Sequence, residues 1–191
     1  MLEVLTVNQQ VSDLLERAPM LQSNEVRRDI KIVPAKAGVY AWWSDVMPGA
    51  APAVGIERGG RQLLYVGIAP RQPLEAAKVG RGNLRARLQD HCSGPSRRST
   101  FRRSLVALLG HELGITTSRD AHDKILLSDA DETRLSNWIG AHCAVSWIET
   151  AAPWLIEEEI LASALAPPLN IRGSANAFAK TVQNKRSRGF G

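Results

Sequence analysis

The chain has two tyrosines, and each stands near a glycine inside a short apolar run: Tyr40 in Gly38-Val39-Tyr40 and Tyr65 in Tyr65-Val66-Gly67. A single phenol on a strand is ordinarily a core residue with its hydroxyl at the rim. Two phenols on strands that pair as a hairpin would be brought near one another. Further along stands Asn83-Leu84-Arg85-Ala86-Arg87-Leu88-Gln89-Asp90-His91. On a helix, Leu84 and Leu88 lie one turn apart and pack inward, while Arg87 and His91 lie one turn apart on the adjoining stripe. A guanidinium clamps a phosphate through two parallel hydrogen bonds and stays charged at any working pH. An imidazole one turn away takes or gives a proton near neutrality.

A carboxylate adds to this set. With Trp154 to Leu165 as a helix, Trp154, Leu155, Leu161, Ala162 and Leu165 fall within about sixty degrees of Glu158 on the helical wheel. That arrangement puts Glu158 in the apolar stripe and leaves Glu157 and Glu159 as solvated acids. A core-facing carboxylate is costly unless it binds a metal or pairs with an arginine. Twelve residues later, after Pro167-Pro168 stops the helix, Asn170 is carried back toward the same place. There its amide would orient a side chain or a metal's water shell; alone, it is a turn residue.

The elements that must position these groups follow from periodicity. Val7, Val11, Leu14, Leu15 and Ala18 share one helix face, which Pro19 ends. Strands are expected at Gly38 to Trp43 and Gln62 to Ile68, joined by a long Pro-, Gly- and Ala-rich connection, and a short one at Val145 to Ile148. Pro70 to Gly82 is expected to be a loop, and Asn83 caps a helix to about Cys92. Phe101, Leu105, Leu108 and Leu109 mark a second amphipathic helix, and Leu135, Trp138, Ile139 and His142 a third. The order of elements predicts an α+β domain.

With 191 residues, 44% of them hydrophobic, one core is the expectation. We divide it into an N-terminal helical extension (1–35), a core (36–171) with a helical insertion at about 93–150, and a basic tail (172–191). No apolar run is long enough to span a bilayer. The two cysteines make no disulfide framework, so a cytoplasmic protein is expected. The net charge is +5, and the charge is segregated: Arg71, Lys78, Arg81, Arg85, Arg87, Arg97, Arg98, Arg102 and Arg103 face only Glu75 and Asp90 along that stretch. Such a run suits a polyanion, because neutralised phosphates release counterions. A solvated basic surface is the plainer alternative.

Gly38-Val39-Tyr40 with Tyr65-Val66-Gly67 resembles the paired motif that names the GIY-YIG nucleases. The Leu84 to His91 segment is similar to their arginine helix, and Glu158 through Pro167-Pro168-Leu169-Asn170 to their glutamate helix and closing asparagine. Arg87 followed by His91 is similar to the restriction and homing endonucleases of that family. The resemblance implies a small three-stranded antiparallel sheet flanked by helices. It also implies an endonuclease acting on nucleic acid, DNA ahead of RNA, with catalytic residues Tyr40, Tyr65, Arg87, His91, Glu158 and Asn170. Glu158 would hold one Mg²⁺ or Mn²⁺, Arg87 would stabilise phosphoryl oxygens, and Tyr40 would be general base for a water nucleophile. A free phenol has a pKa near ~10, so a nearby cation must lower it or His91 must take the proton. Arg85, Arg97, Arg98, Arg102 and Arg103 would contact backbone phosphates. Cutting both strands with one site would call for a homodimer.

Three departures stand out: a longer connection between the tyrosine motifs, an insertion before Arg87, and Ile68 where a lysine commonly follows the glycine. They keep a non-cutting nucleic-acid binder of the same fold in view. A zinc site from His91-Cys92 and His142-Cys143 is disfavoured, because adjacent helix side chains diverge by about a hundred degrees and zinc-ligand spacing is absent. A protein-interaction role for the five tryptophans is explained better by core packing.

Overall fold

The computed structural model describes residues 6–70, 82–121 and 125–188; Arg71, Glu75, Lys78 and Arg81 of the basic run, and most of the loop expected there, lie outside them. The chain opens with α1 (Val7–Ser12), which runs on as a wider π-helical turn through Asp13–Arg17 before Pro19 ends it. Thr6 starts α1 with a capping box, its hydroxyl accepting from the Gln9 backbone while the Gln9 side chain accepts from the Thr6 N–H. Strand β1 (Met20–Gln22) and helix α2 (Ser23–Arg28) follow.

The centre of the molecule is β2 (Gly38–Ser44), in which every residue is buried. It pairs antiparallel with β4 (Arg61–Ala69) on one side and β7 (Cys143–Glu149) on the other. These are the three strands expected from sequence, but the sheet has five, in the order β1-β7-β2-β4-β3. The expectation of three is corrected by β1, at three residues, and β3 (Glu57–Arg58), at two. Strands that short show no period-two alternation and are held by their neighbours' edges. A separate two-stranded ribbon, β5 (Thr117–Arg119) with β6 (Ile125–Leu127), lies within the insertion.

Helices cover both faces. One face carries Tyr40, Trp42, Leu64 and Tyr65, packed with Leu84 and Leu88 of α3 (Leu84–Cys92), Phe101 and Leu105 of α4 (Thr100–Leu109), and Leu135 and Ile139 of α5 (Asp129–His142). The other face carries Val39, Ala41, Trp43, Val66 and Ile68, packed with Leu14 and Leu15 and with Ile156 and Ile160 of α6 (Pro153–Ala162). Asn83, Ser99 and Ser128 cap α3, α4 and α5 through their side chains, and Pro153 starts α6. Residues 178–188, read above as part of a basic tail, form α7 (Phe178–Arg188), with Ala179 and Val182 buried.

The insertion is bolted to the core by a buried cation. Arg102 of α4 has no exposed surface. Its guanidinium bonds the Glu132 carboxylate at 2.7 Å, the carbonyls of His91, Cys92 and Glu132, and the Ser136 hydroxyl. Burial lowers its pKa and Glu132 opposes that shift. The carboxylate also accepts from the Ser96 backbone and hydroxyl, so α3, the Ser96 turn, α4 and α5 are joined at one point. Arg102→Ala should cost about 3–5 kcal/mol, the loss typical of breaking a buried pair on one side. Urea denaturation would measure it, and a loss below ~1 kcal/mol would mean that water replaces the guanidinium.

Candidate active site

The register of the hairpin decides which side chains meet. Tyr40 pairs with Gly67 and Trp42 with Tyr65, but Trp43 pairs with Leu63, so Leu64 is an extra residue on β4. This bulge turns Leu63 to the α6 face and leaves Tyr65 on the α3 and α4 face, beside Tyr40. The two phenol rings lie 6.5 Å apart between centroids. Gly67 is required by this packing. A Cβ there would overlap the Tyr40 hydroxyl and come within 2.6 Å of its ring carbon Cζ.

Helix α3 delivers the other two groups. The Tyr40 hydroxyl is 2.6 Å from His91 Nε2, and His91 Nδ1 is 2.6 Å from Ser99 Oγ. Ser99 Oγ also accepts the Arg102 backbone N–H as the cap of α4. A polar chain therefore runs from β2 through α3 to the first turn of α4, and both Tyr40 and His91 are fully buried within it. Arg87, half-buried, lies against the same phenol. The attraction of Tyr40 raises the arginine's pKa, burial works against this, and Tyr65 adds to the rise. Among the described residues, Arg87 Nε has no hydrogen-bond partner. His91 meets the Tyr65 and Phe101 rings edge-on, at 6.0 and 5.7 Å.

Asn170 reaches the site through the backbone. Its Oδ1 accepts from Val66 N at 2.9 Å and its Nδ2 donates to Val66 O at 2.8 Å, so one side chain acts as a short strand on the free edge of β4, beside Tyr65. Leu169 N bonds the Leu64 carbonyl next to it. Both amide ends thus hold the backbone.

Glu158 is not where the helical wheel put it. It is exposed, and the buried stripe of α6 is Pro153, Ile156, Ile160 and Leu161. Leu155, assigned above to the apolar stripe, is 45% exposed. The isoleucines at i and i+4 outweigh the leucine and alanine around Glu158 because the opposite sheet face offers them Val39 and Ala41. The helix carrying Glu158 therefore packs on the face away from the phenols, and the chain returns to the Tyr65 side through Leu169 and Asn170. An exposed carboxylate is an available hard oxygen donor for a divalent ion. The described residues contain no cluster of three or more His, Cys, Asp or Glu.

The basic residues separate into roles. Arg97 and Arg98 are exposed on the turn before α4, and Arg103 is half-buried. Arg85 Nε donates to the Val33 carbonyl at 2.8 Å, tying α3 to the segment before β2. Arg102, expected above to contact phosphate, is buried and spent on Glu132. Ile68 packs into the α6 face, so the position that commonly carries a lysine points away from the phenols. Ser99 and Gly67 were missed as site residues. The cap position of Ser99 was the readable signal, since the α4 stripe begins at Phe101.

The model of the GIY-YIG catalytic domain matches residues 38–188. The chain belongs to this family. No curated protein and no solved structure matches it. The match runs through α7 and so includes the segment read as a tail. GIY-YIG domains are nuclease domains, their substrate is nucleic acid, and they generally use divalent metals. No helix among the described residues is long and apolar enough to cross a membrane. A zinc site at His91-Cys92 and His142-Cys143 finds no support in a GIY-YIG domain built this way. Both His91 nitrogens are engaged, and burial pushes the Cys92 thiol up to about 11 and the Cys143 thiol higher, away from the thiolate a metal needs.

Gly67→Ala should displace the Tyr40 ring and cost about 1–3 kcal/mol by overpacking. The variant should keep its far-ultraviolet circular dichroism while the His91 side-chain nitrogen resonances shift; unchanged resonances would mean that the phenol makes room without leaving the imidazole.

Proposed function

We propose that this protein is a divalent-metal-dependent endonuclease that hydrolyses phosphodiester bonds, with DNA as its substrate. The observation that carries the reading is the Tyr40 phenol held between the Arg87 guanidinium and His91 Nε2. Arg87 stabilises negative charge on the phenol oxygen, and the imidazole stands ready to take the phenol's proton, with its other nitrogen oriented by Ser99. In the free protein Tyr40 is shielded from solvent. A phosphate that draws the guanidinium onto its own oxygens, using the Nε donor, would uncover the phenol to the attacking water and place Arg87 where charge develops. Tyr65, 7% exposed, is the phenol nearer the surface and positions water or phosphate. Asn170 acts as a positioning residue, keeping the Tyr65 strand in place.

Glu158 is the residue to hold Mg²⁺ or Mn²⁺, which when bound supplies neutralisation of charge on the leaving oxygen. Arg97, Arg98 and Arg103 guide the backbone, and two copies acting together would cut a duplex. A non-cutting binder is the second reading, favoured by the complete burial of Tyr40 and His91.

Cleavage assays on single- and double-stranded DNA and RNA, with Mg²⁺, Mn²⁺ or EDTA, separate the two. Wild type should cut only with metal, Tyr40→Phe and Arg87→Ala should each lose about 10²–10³-fold, and Glu158→Ala should not cut. Binding that persists in EDTA, with no cutting by wild type on any substrate or metal, would select the second reading.

A further inference from the structure

A cleft of about 450 Å³ lies where α4 meets α7, and Arg186 on its wall is near enough to Tyr65 to feel that phenol's charge. Its walls come from the turn before α4, α4 itself, the β5-β6 ribbon and α7. Four arginines line it: Arg97, Arg103, Arg119 and Arg186. Val106, Ala107, Ile125 and Ile171 give it apolar surface. None of the elements that bring Arg119 and Arg186 belongs to the tyrosine, arginine-helix or glutamate motifs.

The framework holding these arginines is specific. Arg119 Nη2 donates to the Ser187 carbonyl at 3.1 Å, tying the ribbon to the last turn of α7. Arg186 continues the stripe Phe178–Val182 by one turn, which turns it toward α4. There it lies near both Arg103 and Tyr65: burial first, then the Arg103 charge, lowers its pKa to about 10, while Tyr65 acts the other way. It is therefore still a cation at neutral pH, held close to another. Arg97 stands two residues from Ser99, which orients His91.

Guanidinium groups beside apolar surface match one class of ligand, a nucleotide, whose phosphate is anionic and whose sugar and base have faces to bury. The volume fits a small ligand, whereas a duplex is far too wide to enter. We propose that this cleft receives one unpaired nucleotide of the substrate strand, its phosphate on the arginines and its sugar and base on the apolar wall, next to the scissile phosphate. The inference rests on the nuclease reading for its substrate but not for its test. It makes strands with an unpaired nucleotide near the cut, such as single strands, flaps and frayed ends, better substrates than a continuous duplex.

The test is calorimetric titration of the full chain in EDTA with thymidine 5′-monophosphate, thymidine and inorganic phosphate. The nucleotide should bind at least about tenfold more tightly than either fragment, and Arg186→Gln should weaken it about tenfold. Arg97→Gln, on an exposed turn, should weaken it in the same direction and serves if the Arg186 variant does not fold. No nucleotide binding at 10 mM (roughly the weakest affinity of interest for a single subsite), phosphate binding as tightly as the nucleotide, or affinity unchanged in Arg97→Gln and Arg186→Gln would each overturn the proposal. Cleavage by wild type separates the two readings. If the nucleotide binds but wild type never cuts, the nuclease reading fails and the cleft stands. If wild type cuts and no nucleotide binds, the reverse holds.

Discussion

The Tyr40 hydroxyl is the point on which the site depends. It sits on the central strand with helices on both faces and has no access to water, so its polar atom must be satisfied from within the protein. A buried hydroxyl without a partner costs on the order of 1–3 kcal/mol. Its partner is His91 Nε2, and the requirement passes outward from there: the imidazole's second nitrogen is paired with Ser99, and Ser99 is fixed because it caps α4. One hydrogen bond thereby ties the position of β2 to that of α3 and α4. Gly67 is the sheet's concession to it, since only a residue without a side chain leaves room for the phenol.

Everything around that chain keeps its atoms from drifting. Phe101 stacks on Trp42 at 4.7 Å between centroids, directly behind His91. Arg102, the next residue, ends in Glu132 and holds the carbonyls at the close of α3. The insertion is thus part of the site's support, although it carries no family motif. On the other edge Asn170 pairs with both backbone groups of Val66, which holds the strand at the neighbouring Tyr65. Reactive groups placed on rigid elements and supported from behind lose little entropy on engaging a substrate.

The parts of this design that repeat along the chain were legible in the sequence. The three central strands, the cap at Asn83, and the i, i+4 spacing of Arg87 and His91 all follow from short-range pattern. The meeting of the phenols followed from hairpin pairing, but the bulge at Leu64, which decides the faces of Leu63 and Leu64, has no sequence signal in the alternation. Glu158 shows the limit most clearly. Two stripes of α6 are apolar enough to be buried, and the choice between them belongs to the sheet face waiting opposite, which a single helix cannot report. Arg102 was misplaced for a related reason: an arginine on an amphipathic helix is by default solvated, and its partner Glu132 is thirty residues away.

The same separation explains why the two cationic regions differ. Arg87 faces phenols that favour its charge, so its pKa rises; Arg186 faces Arg103 and loses solvent, so its pKa falls to about 10. The first environment is complete without an anion, because phenol and guanidinium attract each other. The second brings two cations together on α4 and α7, and a phosphate set beside them would reduce their mutual repulsion as it binds. A strand anchored there would present its next phosphate to Arg87 at a high local concentration, where the guanidinium must be drawn away from Tyr40 for the phenol to meet water.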